Sequence, residues 1–253
     1  MGRERLEIEF GHYSEWLVDA AVALAVDDRV PVACRGTGDP GLFARLAAGL
    51  KLTGGEKVLD VGCGIGGPMA WLARERAVDV VGVDVMEPTV KGLGRLFPSL
   101  SAVVATSRAL PFRTGVFDAA WIIGALEMIG HKREALAEIS RVLAPGGRLA
   151  VYTLVASCRV SDSPRADRFE EPDHLLQEMR GAGFEVARAG GSALPSPPER
   201  WTELSEAVHE EVGRVHSADP GLALVRGELV KLGRLLREKT IFPWEFILHK
   251  EEP

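Results

Sequence analysis

The stretch with the clearest chemical content is VLDVGCGIGGP, Val58–Pro68. An apolar run of strand length ends at an acid and then at glycines 62, 64, 66 and 67. A glycine-rich turn between a strand and a helix lets the backbone approach a ligand without Cβ collisions. It also aims the free N–H groups of the helix at whatever is bound. Pro68 suits the first turn of that helix, where its missing N–H costs nothing. Asp84, in VVGVDV, follows Gly64 by twenty positions, the distance at which an acid ending the next strand can bind a ribose diol. The spacing G-x-G-x-x-G, at Gly62, Gly64 and Gly67, fits a dinucleotide and a nucleoside-bearing methyl donor equally well.

Three further features separate those ligands. Asp60 sits at the end of the strand, just before the glycines. A carboxylate there repels a pyrophosphate but suits a ligand that carries an ammonium and a sulfonium. Downstream, ALPFRTGVFDAAW places a turn-rich stretch ahead of Phe117-Asp118. Further on, EALAEISRVLAPGGRLAVY places Pro145-Gly146-Gly147 between a helical pattern and an apolar strand, an abrupt helix stop.

These residues need a scaffold, and the hydrophobic pattern supplies one. Apolar runs of strand length occur at Lys57–Val61, Val78–Val83, Ala102–Ala105, Ala119–Ile123 and Arg148–Leu154. Helical spacing fills most intervals, as with Leu136, Ile139 and Leu143. Continuous rather than alternating apolar strands imply burial on both faces, hence a doubly wound α/β sheet. Helices are expected at Tyr13–Val26 and Gly41–Leu50, with the turn-rich DDRVPVACRGTGDPG between them. Beyond the core pattern come a helix near Pro172–Ala182 and a strand at Phe184–Arg188. Two amphipathic segments follow, divided at Pro220-Gly221, and a last strand lies within IFPWEFILHK.

The 253 residues suffice for one large α/β domain with additions. A formal charge of −6 gives no global field for a polyanion, so nucleic acid is not the expected partner. Cys34, Cys63 and Cys158 are too few and scattered for a disulfide framework or zinc cluster, and no metal is expected. The charged start MGRERLEIEF is not a signal peptide, and no uncharged apolar run approaches the roughly 18 residues of a membrane span. The expected setting is cytoplasmic; these features do not address oligomeric state.

VLDVGCGIGG, LPFRTGVFD and EALAEISRVLAPGGRLAV together resemble the motifs of class I S-adenosylmethionine-dependent methyltransferases, from about Gly54 to Val155. The resemblance is greatest to the group acting on sterols, quinones, tocopherols and other small metabolites. It implies a Rossmann-like seven-stranded sheet whose last strand runs antiparallel between the fifth and sixth. It implies residues 1–50 as an N-terminal helical lid, 51–190 as the core, 191–240 as a helical insertion and 241–253 as the final strand. Gly62, Gly64 and Gly66 would pack against the methionine moiety and Asp60 would place its amino group. Asp84 would hold both ribose hydroxyls, with Val85 and Met86 flanking the adenine. The implied activity is methyl transfer from S-adenosylmethionine to a small organic acceptor, at oxygen or nitrogen rather than carbon. The alternatives are a donor-binding protein without transferase activity and, more distantly, a dinucleotide-dependent oxidoreductase.

The chain departs from the family pattern twice. Relatives commonly read Asp-Ala-x-x-Leu-Pro-Phe after the third strand, and this chain reads Thr106-Ser107-Arg108-Ala109-Leu110-Pro111-Phe112. Thr106, Ser107 and the backbone at Arg108 can still meet the adenine amine, but without the gain of an ionised partner. After the fourth strand relatives often read Leu-Glu-His, where this chain has Met128. No base transfers from that motif, although the backbone at Gly124 and Ala125 remains available to the donor.

Methyl transfer needs alignment first and a base only for some acceptors. Of the six histidines, His131 and His174 read as surface residues, and His209 and His216 lie on one side of an inserted helix. His12, beside Tyr13 in FGHYSEW, is the best single candidate for a base. Arg35, in ACRGTG, is a candidate to meet the donor carboxylate. Trp201 and Trp244, with Tyr13, Met128 and His209, are candidates for the acceptor pocket.

Overall fold

The computed structural model describes residues 7–35, 38–157 and 169–251; Cys158 lies outside them. Seven strands form one sheet: β1 Lys57–Val61, β2 Asp79–Asp84, β3 Ser101–Val104, β4 Phe117–Ile123, β5 Leu143–Ala156, β6 Phe184–Gly191 and β7 Ile241–Lys250. Their spatial order is β3-β2-β1-β4-β5-β7-β6. The first five pair in parallel, and β7 runs antiparallel to both β5 and β6. The crossovers are α4 Gly67–Arg76, α5 Glu87–Leu96 and α6 Lys132–Val142, with α7 Pro172–Gly181 leading into β6.

Alternate residues of each central strand enter opposite cores, which explains the continuous apolar runs. From β1 and β4, Val58, Ala119 and Trp121 join Phe43, Leu46 and Leu72 on one face. Leu59, Ala120 and Ile122 join Leu136, Ile139 and Met179 on the other. Phe43 and Trp121 are wholly buried, their ring centroids 6.1 Å apart. Truncating such a side chain to alanine costs about 3–5 kcal/mol.

Before the sheet, a π-helical turn Glu7–His12 runs into α1 Tyr13–Ala23, followed by α2 Val30–Ala33 and α3 Pro40–Gly49. The stretch that resisted assignment therefore holds a short helix and the cap of the next. Asp39 accepts the Leu42 N–H at 2.9 Å, closing the first turn of α3, and the Ser196 N–H at 2.7 Å from the loop after β6. Between β6 and β7 the chain forms α8 Glu199–Val215 and α9 Pro220–Arg237. Asp219 caps α9 through the Gly221 N–H at 2.7 Å. A third apolar cluster joins Leu17 and Val18 of α1 to Leu204, Val208 and Val212 of α8 and Leu222 and Val225 of α9. Helices distant in sequence thus pack together at one end of the sheet.

Several boundaries differ from the sequence expectation, and two of the differences have a clear local cause. β5 starts at Leu143, ahead of Pro145-Gly146-Gly147, because Leu143 already pairs with Phe117. The register then shifts between Phe117 and Ala119, and the Pro-Gly-Gly segment forms the irregularity, with Gly146 at φ 69°. The first helix ends at Ala23 rather than Val26, since Ala25 takes φ 48° and turns the chain.

Candidate active site

The carboxyl ends of β1, β2 and β4 surround a cavity of about 420 Å³. The turn after β1 forms its floor. Gly62 N–H and Cys63 N–H donate to Val83 O at 2.7 and 3.1 Å, binding the turn to β2. Gly64 N–H donates to Asp84 Oδ2 at 3.0 Å, and Met86 N–H donates to Asp84 Oδ1 at 2.9 Å. The Asp84 carboxylate is thereby fixed at the cavity wall, with acceptor capacity left on both oxygens. Burial pushes its carboxyl above the ordinary range, while the Met86 and Gly64 amides and the Arg35 guanidinium oppose that rise.

Gly64 has φ 54°, and a Cβ built on it would meet nothing within 4 Å. The space above it is the cavity, so a side chain there would occupy ligand volume. Gly66 is different. It caps α4 at φ 89°, and its Cβ would lie 2.8 Å from Leu93 of α5. It serves helix packing and is not part of the cavity lining, which corrects its expected place beside the ligand.

Asp60 is also displaced from expectation. It is 2% exposed beneath the turn and is not among the residues that line this cavity. Its Oδ2 has no hydrogen-bond partner. Burial pushes its carboxyl up to about 7, opposed by the neighbouring Trp121 indole and reinforced by the Asp84 charge.

The far wall of the cavity contains Val85, Met86, Thr106, Ser107 and Arg108, with Gly124 and Met128 from the loop after β4. Thr106 Oγ1 accepts the Arg108 N–H at 3.4 Å. Arg35 reaches the cavity from the loop after α2. Its backbone takes φ 51°, its guanidinium donates to Ser14 Oγ at 3.2 Å, and it lies over the Phe10 and Tyr13 rings at 5.2 and 5.5 Å.

A second cavity, of about 190 Å³, adjoins the first. Phe10, Arg35, Gly62, Gly64, Gly124 and Met128 line both. Its remaining walls are mostly apolar and include Leu154, Phe169 and, from α9, Leu229 and Leu232.

Several expected site residues are elsewhere. His12 is exposed at the end of the π-helical turn and lines neither cavity. Tyr13 is buried behind Phe10 in the helical cluster, 6.2 Å ring to ring from His209. The His209 ring is engaged with Ser205 O one turn earlier on α8. Trp201 packs against Phe43 in the core, and Trp244 packs between Phe242 and Phe246 on β7. Trp201 thereby buries its apolar area in the core, whereas Trp244 stays half-buried at the margin of the cluster on the other face. Conversely, His131 stands at the rim of the larger cavity, paired with Glu134 at 3.7 Å. Phe10, Glu127 and Glu228 are cavity residues that periodicity did not single out. Phe10 carried one legible signal, its place in FGHYSEW two residues before His12. Among the described residues, no group of three His, Cys, Asp or Glu side chains can hold a metal ion, and no helix is long and apolar enough to cross a membrane.

A family model described as a methyltransferase domain matches residues 59–151, the segment that builds this floor and wall. Residues 59–151 are similar to a methyltransferase domain. The chain is 38% identical over 146 residues to the O-methyltransferase cnsE of Penicillium expansum, covering 52% of this chain and 53% of that protein. It is 36% identical over 120 residues to the methyltransferase GfsG of Streptomyces halstedii, covering 45% and 43%. The chain thus spans about half the length of these curated relatives. In three dimensions it superposes on the (4+2)-cyclase SpnF with TM-score 0.70 at 22% identity, covering 98% of this chain and 97% of that one. That likeness concerns the fold. A structural neighbour, phosphoethanolamine N-methyltransferase 2 of Haemonchus contortus (TM-score 0.70, 16% identity, covering 100% of this chain and 61% of that one), is solved in complex with S-adenosyl-L-methionine. The residues that line the larger cavity fit that donor: Asp84 would offer acceptors to a ribose diol, the open face of Gly64 would leave room for a methionine portion, and Met86 and Thr106 would flank a base.

Proposed function

We propose that this protein transfers a methyl group from S-adenosylmethionine to a small organic acceptor, at oxygen or nitrogen. The observation that carries the reading is the Asp84 carboxylate, held by the Gly64 and Met86 amides at the wall of a cavity within a methyltransferase domain. The donor supplies an activated carbon, and the chain's task is alignment. Asp84 orients the ribose. Arg35 stands between the two cavities, where its guanidinium can meet the donor carboxylate. The smaller cavity receives the acceptor on the far side of Gly62 and Gly64.

Residues 1–50 and 191–240 act in this reading as the lid and cap of a core spanning 51–190 and completed by 241–253. The apolar cluster that joins α1 to α8 and α9 supports that division. The net charge of −6 supports a small acceptor over nucleic acid.

A second reading is a donor-binding protein without transferase activity. Two observations favour it: Thr106 replaces an acid, and Met128 replaces a histidine at the junction of the cavities. One experiment separates them. Incubation with S-adenosylmethionine and a panel of hydroxylated and amine-bearing metabolites should release S-adenosylhomocysteine in step with methylated product. Tight donor binding with no acceptor-dependent release would establish the second reading.

A further inference from the structure

At the opposite edge of the sheet from the donor cavity, a recess of about 640 Å³ lies against the starts of β5 and β6 and the end of β7. Arg148, in its wall, precedes Tyr152 on β5, and the Tyr152 carbonyl accepts the Gly124 N–H at 2.9 Å beside the donor space. At about 3.3 Å per strand residue the two regions are roughly 13 Å apart.

Strand register builds the floor of the recess. Arg148 of β5 lies directly opposite His249 of β7, and His249 lies directly opposite Glu185 of β6. Directly opposed residues of antiparallel strands send their side chains to one face. The next residues inward on that face, Ala150 and Ile247, are buried in the core beneath α3, where a Cβ on Gly49 would lie 2.5 Å from Ile247. The helix ends there, so it does not cover the row Arg148-His249-Glu185. Lys51, in the turn after α3, and Lys250 and Glu251, at the end of β7, complete the polar lining.

The protein leaves most of these donors without acceptors. Lys250 Nζ donates to Leu143 O at 2.7 Å. Among the described residues, the side chains of Lys51, Arg148 and His249 make no hydrogen bond or ion pair, and Arg148 Nε is covered and unbonded. Three cations face two carboxylates in this recess, within a chain of net charge −6. The charges are also segregated. Glu185 stands two strand spacings from Arg148, about 10 Å, with the His249 imidazole between them. A guanidinium presents a fork of N–H groups that matches phosphate oxygens, and a lysine adds a point charge beside it. A carboxylate repels that phosphate but accepts from hydroxyl groups.

We propose that this recess is a second ligand site, for a small phosphomonoester that carries hydroxyl groups. Lys51, Arg148 and His249 take the phosphate, and Glu185 and Glu251 accept from the hydroxyls at the other end. Inorganic phosphate engages only the cationic end and binds more weakly.

The test is a ³¹P NMR titration of the whole chain with glucose 6-phosphate and with inorganic phosphate, in about 0.15 M NaCl to screen unspecific attraction. Glucose 6-phosphate should bind with Kd below about 1 mM, and at least about fivefold more tightly than phosphate. Arg148→Gln should weaken its binding about tenfold or more, and Lys51→Gln, at an exposed position, about threefold or more. S-adenosylhomocysteine affinity and the thermal midpoint should stay unchanged in both variants, and saturating S-adenosylhomocysteine should not displace the ester. Weaker binding than about 1 mM, unchanged affinity in both variants, or displacement by S-adenosylhomocysteine overturns the site. If Arg148→Gln does not fold, Lys51→Gln alone decides. Equal affinity for the two probes overturns the hydroxyl-bearing ester in favour of free phosphate.

Discussion

The amide of Gly64 donates a hydrogen bond to the carboxylate of Asp84 at 3.0 Å, across twenty residues of sequence. That contact ties the turn after β1 to the end of β2 and sets the width of the donor cavity between them. Asp84→Asn keeps one carbonyl acceptor but loses the charge and the second acceptor. S-adenosylhomocysteine affinity by calorimetry should fall roughly 30-fold, about 2 kcal/mol. An unchanged affinity would remove Asp84 from the donor site.

Gly64 itself offers a sharper contrast between fold and binding. At φ 54° an alanine is strained by about 1–2 kcal/mol, but its Cβ meets no protein atom. Gly64→Ala should therefore fold with a modestly lower Tm while donor affinity drops by about tenfold or more. Retained affinity would show that the donor does not pass over this residue.

Thr106 stands where relatives place an acid, and its hydroxyl already accepts the Arg108 N–H. An aspartate can accept that amide and an adenine amine together, with the gain of an ionised acceptor. Thr106→Asp should tighten donor binding about fivefold. No change in calorimetry would mean that the adenine amine finds its partner elsewhere.

Asp60 makes stability depend on pH. Its carboxyl rises from the ordinary 3.8 to about 7 because it is buried beneath the turn. Between those values the folded protein holds a proton that the unfolded chain has released. The contribution of this group is accordingly fully present below about 3.8 and is lost as pH rises toward 7, by roughly 4 kcal/mol. Asp60→Asn, which cannot ionise, should remove that part of the slope and leave the protein more stable than wild type at pH ~8. Denaturant titrations across the window decide it; parallel curves for the two proteins would show that Asp60 is not the responsible group.

The mixed outcome at the site has a physical explanation. Asp84, Val85, Met86, Thr106, Ser107, Arg108 and Gly124 were legible because each follows a strand end by a fixed number of residues. Parallel strands of one sheet bring their carboxyl ends to one edge, so position along the chain becomes position at the site. Arg35 was legible only as a cation in a turn-rich loop, and packing over Phe10 and Tyr13 turned it toward the cavity. Asp60 and Gly66 share the motif but face away from the ligand space, because strand alternation sends Asp60 into the core and α5 packs over Gly66.

Residue types and spacing alone determined the sheet, the glycine-rich turn after β1 and the place of Asp84 at the end of β2. Those depend on local geometry and on contacts that recur at set intervals. The acceptor side was decided only by tertiary structure. Residue 127 lies after β4 and residue 228 on a helix about a hundred positions later, and no periodicity relates them. Trp201 has the composition of a pocket residue but is buried in the core, and Trp244 is half-buried against Phe242 and Phe246 on β7. Glu127 and Glu228 have the composition of a surface, yet helix packing at the end of the sheet placed both in the wall of the smaller cavity.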